Sequence, residues 1–125
     1  MADHTIVNLK QVEDAAGQRG VPGLQARFAR SALELENSGI TLFDLEPEFK
    51  VPWGHRHESQ EEIYLVLRGS AAVVFEDGTA ELGEWDAVRI PPSVARSFQA
   101  GPDGAQILAF GAGPQGDAEM IQDFW

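Results

Sequence analysis

Two histidines one residue apart, His55 and His57, precede Glu62 with four residues between the second imidazole and the carboxylate. Residues two apart in a strand point to the same face, so a strand through Gly54-His55-Arg56-His57 would aim both rings at one spot. Glu62 opens an aliphatic run after the polar turn of residues 58–61, and a hairpin of that shape would return its carboxylate beside the rings. Two neutral imidazoles and one carboxylate suit a divalent transition metal such as Fe, Mn, Ni or Zn. A lone His-x-His pair at a strand edge reads equally well as polar surface, and Glu61 competes with Glu62 for the third position. Strand parity places Tyr64 and Val66 on the face of Glu62.

The elements that would hold these groups are short strands. Thirteen glycines and seven prolines punctuate the 125 residues, which favours strands and turns over long helices. Ile40 to Leu45, Glu62 to Leu67, Ala71 to Glu76, Thr79 to Leu82, Asp86 to Ile90, Arg96 to Ala100 and Ala105 to Phe110 read as strands. Asp77-Gly78 signals a tight hairpin, and Gly101-Pro102-Asp103-Gly104 another turn. Evenly spaced strands of this length predict an all-β sandwich or barrel. Val12 to Ala16 reads as a helical turn, and Leu24 to Ala29 as either a strand or a short helix. The expected division is an irregular N-terminal segment over 1–39, a barrel core over 40–110 and a C-terminal tail over 111–125, forming one domain.

Composition narrows the function. Twenty acidic residues against nine basic ones give a formal net charge of −11, which repels phosphate backbones and predicts no nucleic-acid partner. No apolar run is long enough to span a bilayer, and the N-terminal residues lack the basic and apolar regions of a secretory signal, predicting a cytoplasmic home. The absence of cysteine excludes disulfides and thiolate chemistry. No Ser-His-Asp arrangement or phosphate-cradling loop is visible, so covalent acyl transfer is not expected.

With these residues in place, the chain resembles the cupin superfamily, in particular the small single-domain cupins of bacteria. The first cupin motif reads G-x5-H-x-H-x3-4-E-x6-G. His55, His57, Glu62 and Gly69 match it in order, while Phe49 stands where the leading glycine would be. The distance to Gly69 selects Glu62 over Glu61. In the second motif, G-x5-P-x-G-x2-H-x3-N, Pro91 matches, and Trp85, Ser93, Arg96 and Ala100 replace the two glycines, the histidine and the asparagine. Fifteen residues, Ser70 to Glu84, separate the motifs. The resemblance implies a double-stranded β-helix, or jelly-roll barrel, with a small-molecule pocket inside. It also implies His55, His57 and Glu62 as metal ligands.

Arg96 stands where metal-binding cupins usually place a third histidine, and an arginine cannot ligate a cation. Parity points it the same way as Phe98, into the barrel, where a guanidinium needs an anionic partner. Either Glu62 pairs with Arg96 and the pocket is a metal-free, non-catalytic binding or sensing module, or Glu62 binds metal and Arg96 meets a small anionic ligand. The metal version is compatible with an enzyme such as a dioxygenase or isomerase. Tyr64 and Phe98 would line the ligand pocket or simply fill the barrel. Trp53 and Trp85 read as packing residues at its rim, Gln60 as an exposed or turn residue, Arg56 as surface and His4 as a solvated tail residue. Inward Glu62, Tyr64 and Val66 send Ile63, Leu65 and Leu67 outward, an aliphatic row needing cover. The cover would come from the N-terminal segment, with Leu24 and Phe28, or from a second copy in a homodimer.

Overall fold

Strands interrupted by glycine- and proline-rich turns make up about half of the computed structural model, which describes residues 3–125. A 3-10 turn at Leu9–Gln11 and one helical turn, α1 (Ala15–Gln18), come first. Eight strands follow: β1 (Leu24–Phe28), β2 (Ser38–Leu45), β3 (Gly54–His57), β4 (Glu61–Phe75), β5 (Gly78–Leu82), β6 (Ala87–Ile90), β7 (Ser97–Ala112) and β8 (Ala118–Ile121). The main sheet runs β1-β2-β7-β4-β5, with β6 also paired to β4, and β3 and β8 form a second, two-stranded sheet. Every pairing is antiparallel. The fold is an all-β jelly roll. No helix among the described residues is long and apolar enough to cross a membrane.

Alternation sets the interior. Along β4, Glu62, Tyr64, Val66, Ala71 and Val73 are buried and their neighbours are more exposed, the period-two pattern of a strand with one covered face. Ile90, Ile107, Leu24 and Leu45 join the same core. β1 pairs Leu24 with Leu45 and Phe28 with Thr41. Leu24 is buried in the core, Phe28 is 53% exposed and meets Phe43 edge-on, and β2 and β7 separate their strand from β4, so the suggestion that they cover the outer face of β4 is corrected. The Asp14 carboxylate accepts from the amides of Ala16 and Ala26, each at 3.0 Å, tying α1 to β1.

Two expected turns lie inside long strands instead. Residues 62–67 and 71–75 belong to one strand, β4, which ends one residue short of the expected Glu76, and the segment 101–104 is an excursion within β7, where the register passes from Gly69↔Ala105 to Ala71↔Ala100. Close backbone approach explains the glycines. Gly69 has φ +77°, and a Cβ there would stand 2.0 Å from the Gly104 carbonyl oxygen. A motif glycine that looks like a strand end is therefore a bulge where the backbones of β4 and β7 approach too closely for a side chain.

Candidate metal centre and adjoining cavity

His55 and His57 share one face of β3, as parity predicts, with ring centroids 5.2 Å apart. β3 does not form a hairpin with β4, however. Its edges are taken by β8 and by a bridge in which the amides of His55 and Arg96 each donate to the other's carbonyl at 3.0 Å. The rings therefore reach Glu62 across the barrel from the opposing sheet. One ligand atom from each of His55, His57 and Glu62 lies within 4.8 Å of the others.

Glu62 Oε1 is the focus of the centre. His55 Nε2 lies 3.2 Å away, His57 Nε2 3.1 Å and Arg96 Nη1 3.7 Å, and the Tyr64 hydroxyl donates to it. The other carboxylate oxygen accepts from Gln60 Nε2 at 3.3 Å. Burial works against charge on Glu62, but its close contacts with the His55 and His57 imidazoles and the Tyr64 hydroxyl prevail and hold its carboxyl well below the usual carboxylate range. Burial lifts the Tyr64 phenol well above its ordinary 10.0, so it remains a donor at neutral pH.

The C-terminal segment supplies a residue that sequence reasoning missed. Asp117, just before β8, accepts from or pairs with His57 Nδ1 at 2.9 Å. Its second oxygen accepts from the amides of Ser59 and Gln60, both at 2.8 Å. Burial opposes its charge, and these amides together with His57 still hold its carboxyl well below the ordinary range. Burial also disfavours imidazolium at His57, but interactions with Glu62 and Asp117 outweigh it and raise the pKa above 6.5. A carboxylate on Nδ1 fixes the ring and leaves Nε2 facing the centre. His57 Nε2 is buried and makes no hydrogen bond. An orphaned imidazole nitrogen beside a second imidazole and a carboxylate is a donor set that fits a divalent cation. No sequence spacing pointed to Asp117, which lies sixty residues from its partner.

Arg96 is fully buried. Its Nη2 donates to the Pro91 carbonyl at 3.1 Å, while Nε and Nη1 have no hydrogen-bond partner. Its Nη1 lies 3.7 Å from Glu62 Oε1, and the residue is not part of the cavity wall. Tyr64 and Phe98, with ring centroids 4.6 Å apart, do line that wall, as does Trp53. Trp85 instead occupies a turn with φ 69° and is 71% exposed. Gln60, expected on the surface, is 7% exposed and joins Glu62 to Arg30, whose Nη2 donates to Gln60 Oε1 at 3.1 Å. Arg56 lies outside and pairs with Glu119 at 3.0 Å.

The cavity beside the centre encloses about 400 Å³ and contains His55, His57 and Glu62 in its wall. A family model described as Cupin domain matches residues 41–110. The chain belongs to the cupin superfamily. Among solved structures, this cupin is similar to a cupin protein from Bacteroides fragilis (TM-score 0.73, 22% identity, 90% of this chain and 86% of that one). It is similar also to a sugar phosphate isomerase of the cupin superfamily from Silicibacter pomeroyi (TM-score 0.69, 22% identity, 86% and 74%). An oxalate decarboxylase from Bacillus subtilis matches with TM-score 0.77 and 22% identity over 98% of this chain, which spans 33% of that longer protein. At these identities the likeness is one of fold. No curated protein sequence matches the chain.

Proposed function

We propose that this cupin holds a divalent transition metal through His55, His57 and Glu62 and binds a small molecule in the adjoining cavity. The observation that carries the reading is His57, a buried imidazole whose Nδ1 faces Asp117 and whose Nε2, 3.1 Å from Glu62 Oε1, makes no hydrogen bond. Once bound, such an ion with open positions supplies Lewis-acid polarisation of a ligand oxygen or, for a redox metal, oxygen activation of the dioxygenase type. The chain's own groups orient the ligands: Asp117 holds His57, and Gln60 and Tyr64 hold Glu62. Manganese, iron, nickel and zinc titrations of chelator-stripped protein test the reading. His57 must lose its proton to bind, and its pKa is raised. Affinity should therefore climb about tenfold per pH unit up to the raised value and level off above it. The raised pKa acts oppositely on the metal-free fold, whose stabilisation by His57 imidazolium is complete below 6.5 and is lost as pH rises through the folded value. Failure of all four metals to bind at pH 8 would sink the proposal.

A second reading has its own support, since Arg96 Nη1 approaches Glu62 Oε1 to 3.7 Å. On it, the pair neutralises the pocket and the protein is a metal-free binding or sensing module. Arg96→His separates the two. Replacing the buried cation with a neutral imidazole relieves on the order of 1 kcal/mol or more of repulsion towards a bound ion and adds a ligand. On the metal reading, affinity should then rise at least about tenfold. An unchanged affinity would favour the pair as a permanent feature of a metal-free site.

We also propose that the chain forms a homodimer through the outer face of the main sheet. Ile63 on β4 is 42% exposed, and its partner in the register, Phe110 on β7, is 44% exposed, with Leu65 and Leu67 half-buried beside them. Light scattering across a dilution series should give twice the 13.6 kDa chain mass at micromolar concentration. Ile63→Lys should shift the particle to monomer. A wild-type monomer throughout would refute the dimer.

A further inference from the structure

We infer that the ligand of this cavity is an amphipathic organic anion, an apolar carboxylate whose head group is taken by Arg30 at the metal end. The inference rests on the cavity being the binding site proposed above and names the class of molecule that fits it. Its wall is mostly apolar, with Leu24, Phe43, Leu45, Val51, Phe98 and Ile107 among the lining side chains, beside fewer polar ones such as Arg19, Thr41 and Ser97. A volume of about 400 Å³ falls in the range of small-molecule sites. A polyhydroxylated ligand entering here would leave hydroxyls unpaired against aliphatic and aromatic surface, at a cost for each one. A hydrocarbon or aromatic body meets no such penalty.

The charge comes from Arg30, which also lines the cavity. Its Nη1 donates to the Gly113 carbonyl at 3.2 Å and its Nη2 to Gln60 Oε1 at 3.1 Å. Both acceptors are neutral, and among the described residues no carboxylate pairs with this guanidinium. It retains N–H donors beyond those two acceptors. The fold makes room for this arrangement at one register pair, Gly39 on β2 opposite Gly111 on β7. A Cβ at Gly39 would stand 2.9 Å from Arg30 Nη2, and one at Gly111 would stand 2.3 Å from Gln60 Nε2. Paired glycines thus seat a guanidinium and an amide side by side. Gln60 also donates to Glu62 at 3.3 Å, so one side chain separates Arg30 from the metal-binding carboxylate. An anionic head group is favoured at this end of the cavity by a cation with spare donors, and the apolar body extends along the wall.

Isothermal titration calorimetry with octanoate, n-octanol and gluconate, on metal-free and manganese-loaded protein, tests the inference. Octanoate should bind both forms, octanol at least about tenfold more weakly, and gluconate not measurably. Arg30→Gln should weaken octanoate about tenfold and bring the octanoate-to-octanol affinity ratio close to one, while Arg30→Lys keeps most of the octanoate affinity. Circular dichroism of each variant checks folding, and should Arg30→Gln fail to fold, the wild-type octanoate-to-octanol ratio and Arg30→Lys decide. Absence of octanoate binding in both forms, gluconate binding as tightly as octanoate, or equal octanoate and octanol affinities would overturn the inference. Failure of manganese to bind would count against the metal proposal alone, because the metal-free titrations read the cavity by itself.

Discussion

Glu62→Gln should destabilise the metal-free protein by about 3–5 kcal/mol, lowering Tm by more than about 10 °C. The reason lies beside the carboxylate. Arg96 is 0% exposed, and of its side-chain nitrogens only Nη2 makes a hydrogen bond, to the Pro91 carbonyl. The one ion pair of that guanidinium among the described residues is with Glu62, Nη1 to Oε1 at 3.7 Å. A glutamine preserves shape but removes the counter-charge, leaving a desolvated cation. Adding Arg96→Met removes the stranded charge as well, so the double variant should recover at least half of the loss. A double-mutant cycle would then show strong coupling between the sites. Acid should shrink the difference. The Glu62 carboxyl is held below its ordinary 4.5, so its contribution is present above that value and is lost as pH falls towards the folded one. Chemical denaturation at several pH values measures both effects. A Glu62→Gln variant within about 1 kcal/mol of wild type at pH 7 would mean that Arg96 is not held by this pair.

The second large effect should come from Asp117→Ala, with metal affinity falling about 10- to 100-fold. Asp117 touches no ligand atom of the proposed ion. It acts through His57, meeting Nδ1 at 2.9 Å, and through the turn that carries the chain from β3 to β4, where the Ser59 and Gln60 amides bind its other oxygen. Alanine frees the ring to rotate and loosens the turn that presents Glu62. Asp117→Asn should fall between alanine and wild type, since an amide oxygen can accept from Nδ1–H but brings no charge. Glu119 in the adjoining strand β8 provides a control. Its pairing with Arg56 is on the surface, with side chains 62% and 41% exposed, and Glu119→Ala should leave metal affinity within about twofold. Equal losses for Asp117→Ala and Glu119→Ala would point to general loosening of β8 rather than control of His57.

Much of this protein could be read from local order. His55 and His57 share a face because strand geometry allows nothing else for residues two apart, and the same rule put Tyr64, Val66 and Phe98 inside. Motif spacing singled out Glu62 and Gly69 and gave the family and the jelly roll. The tight turn that Asp77-Gly78 signals does join β4 to β5, with Glu76 and Asp77 as its loop and Gly78 paired to Phe75 as the first residue of β5, because turn chemistry is local too.

Pairing across the chain followed no such rule. That β3 lies against β8 and the Arg96 bridge, not against β4, depends on which backbone edges meet after folding. Sequence period says nothing about that choice. Asp117 reaches His57 only because the C-terminal segment folds back to form β8, and Gln60 is buried only because Gly111 leaves space for its amide. Arg96 was legible as an interior cation, whereas its seat beside Glu62, outside the cavity wall, was decided by the register of its backbone against His55. The sequence by itself determined which side chains of β3, β4 and β7 face inward. Tertiary structure alone decided which of them meet, because backbone hydrogen bonds are chemically alike along the chain and only the packed whole selects among their pairings.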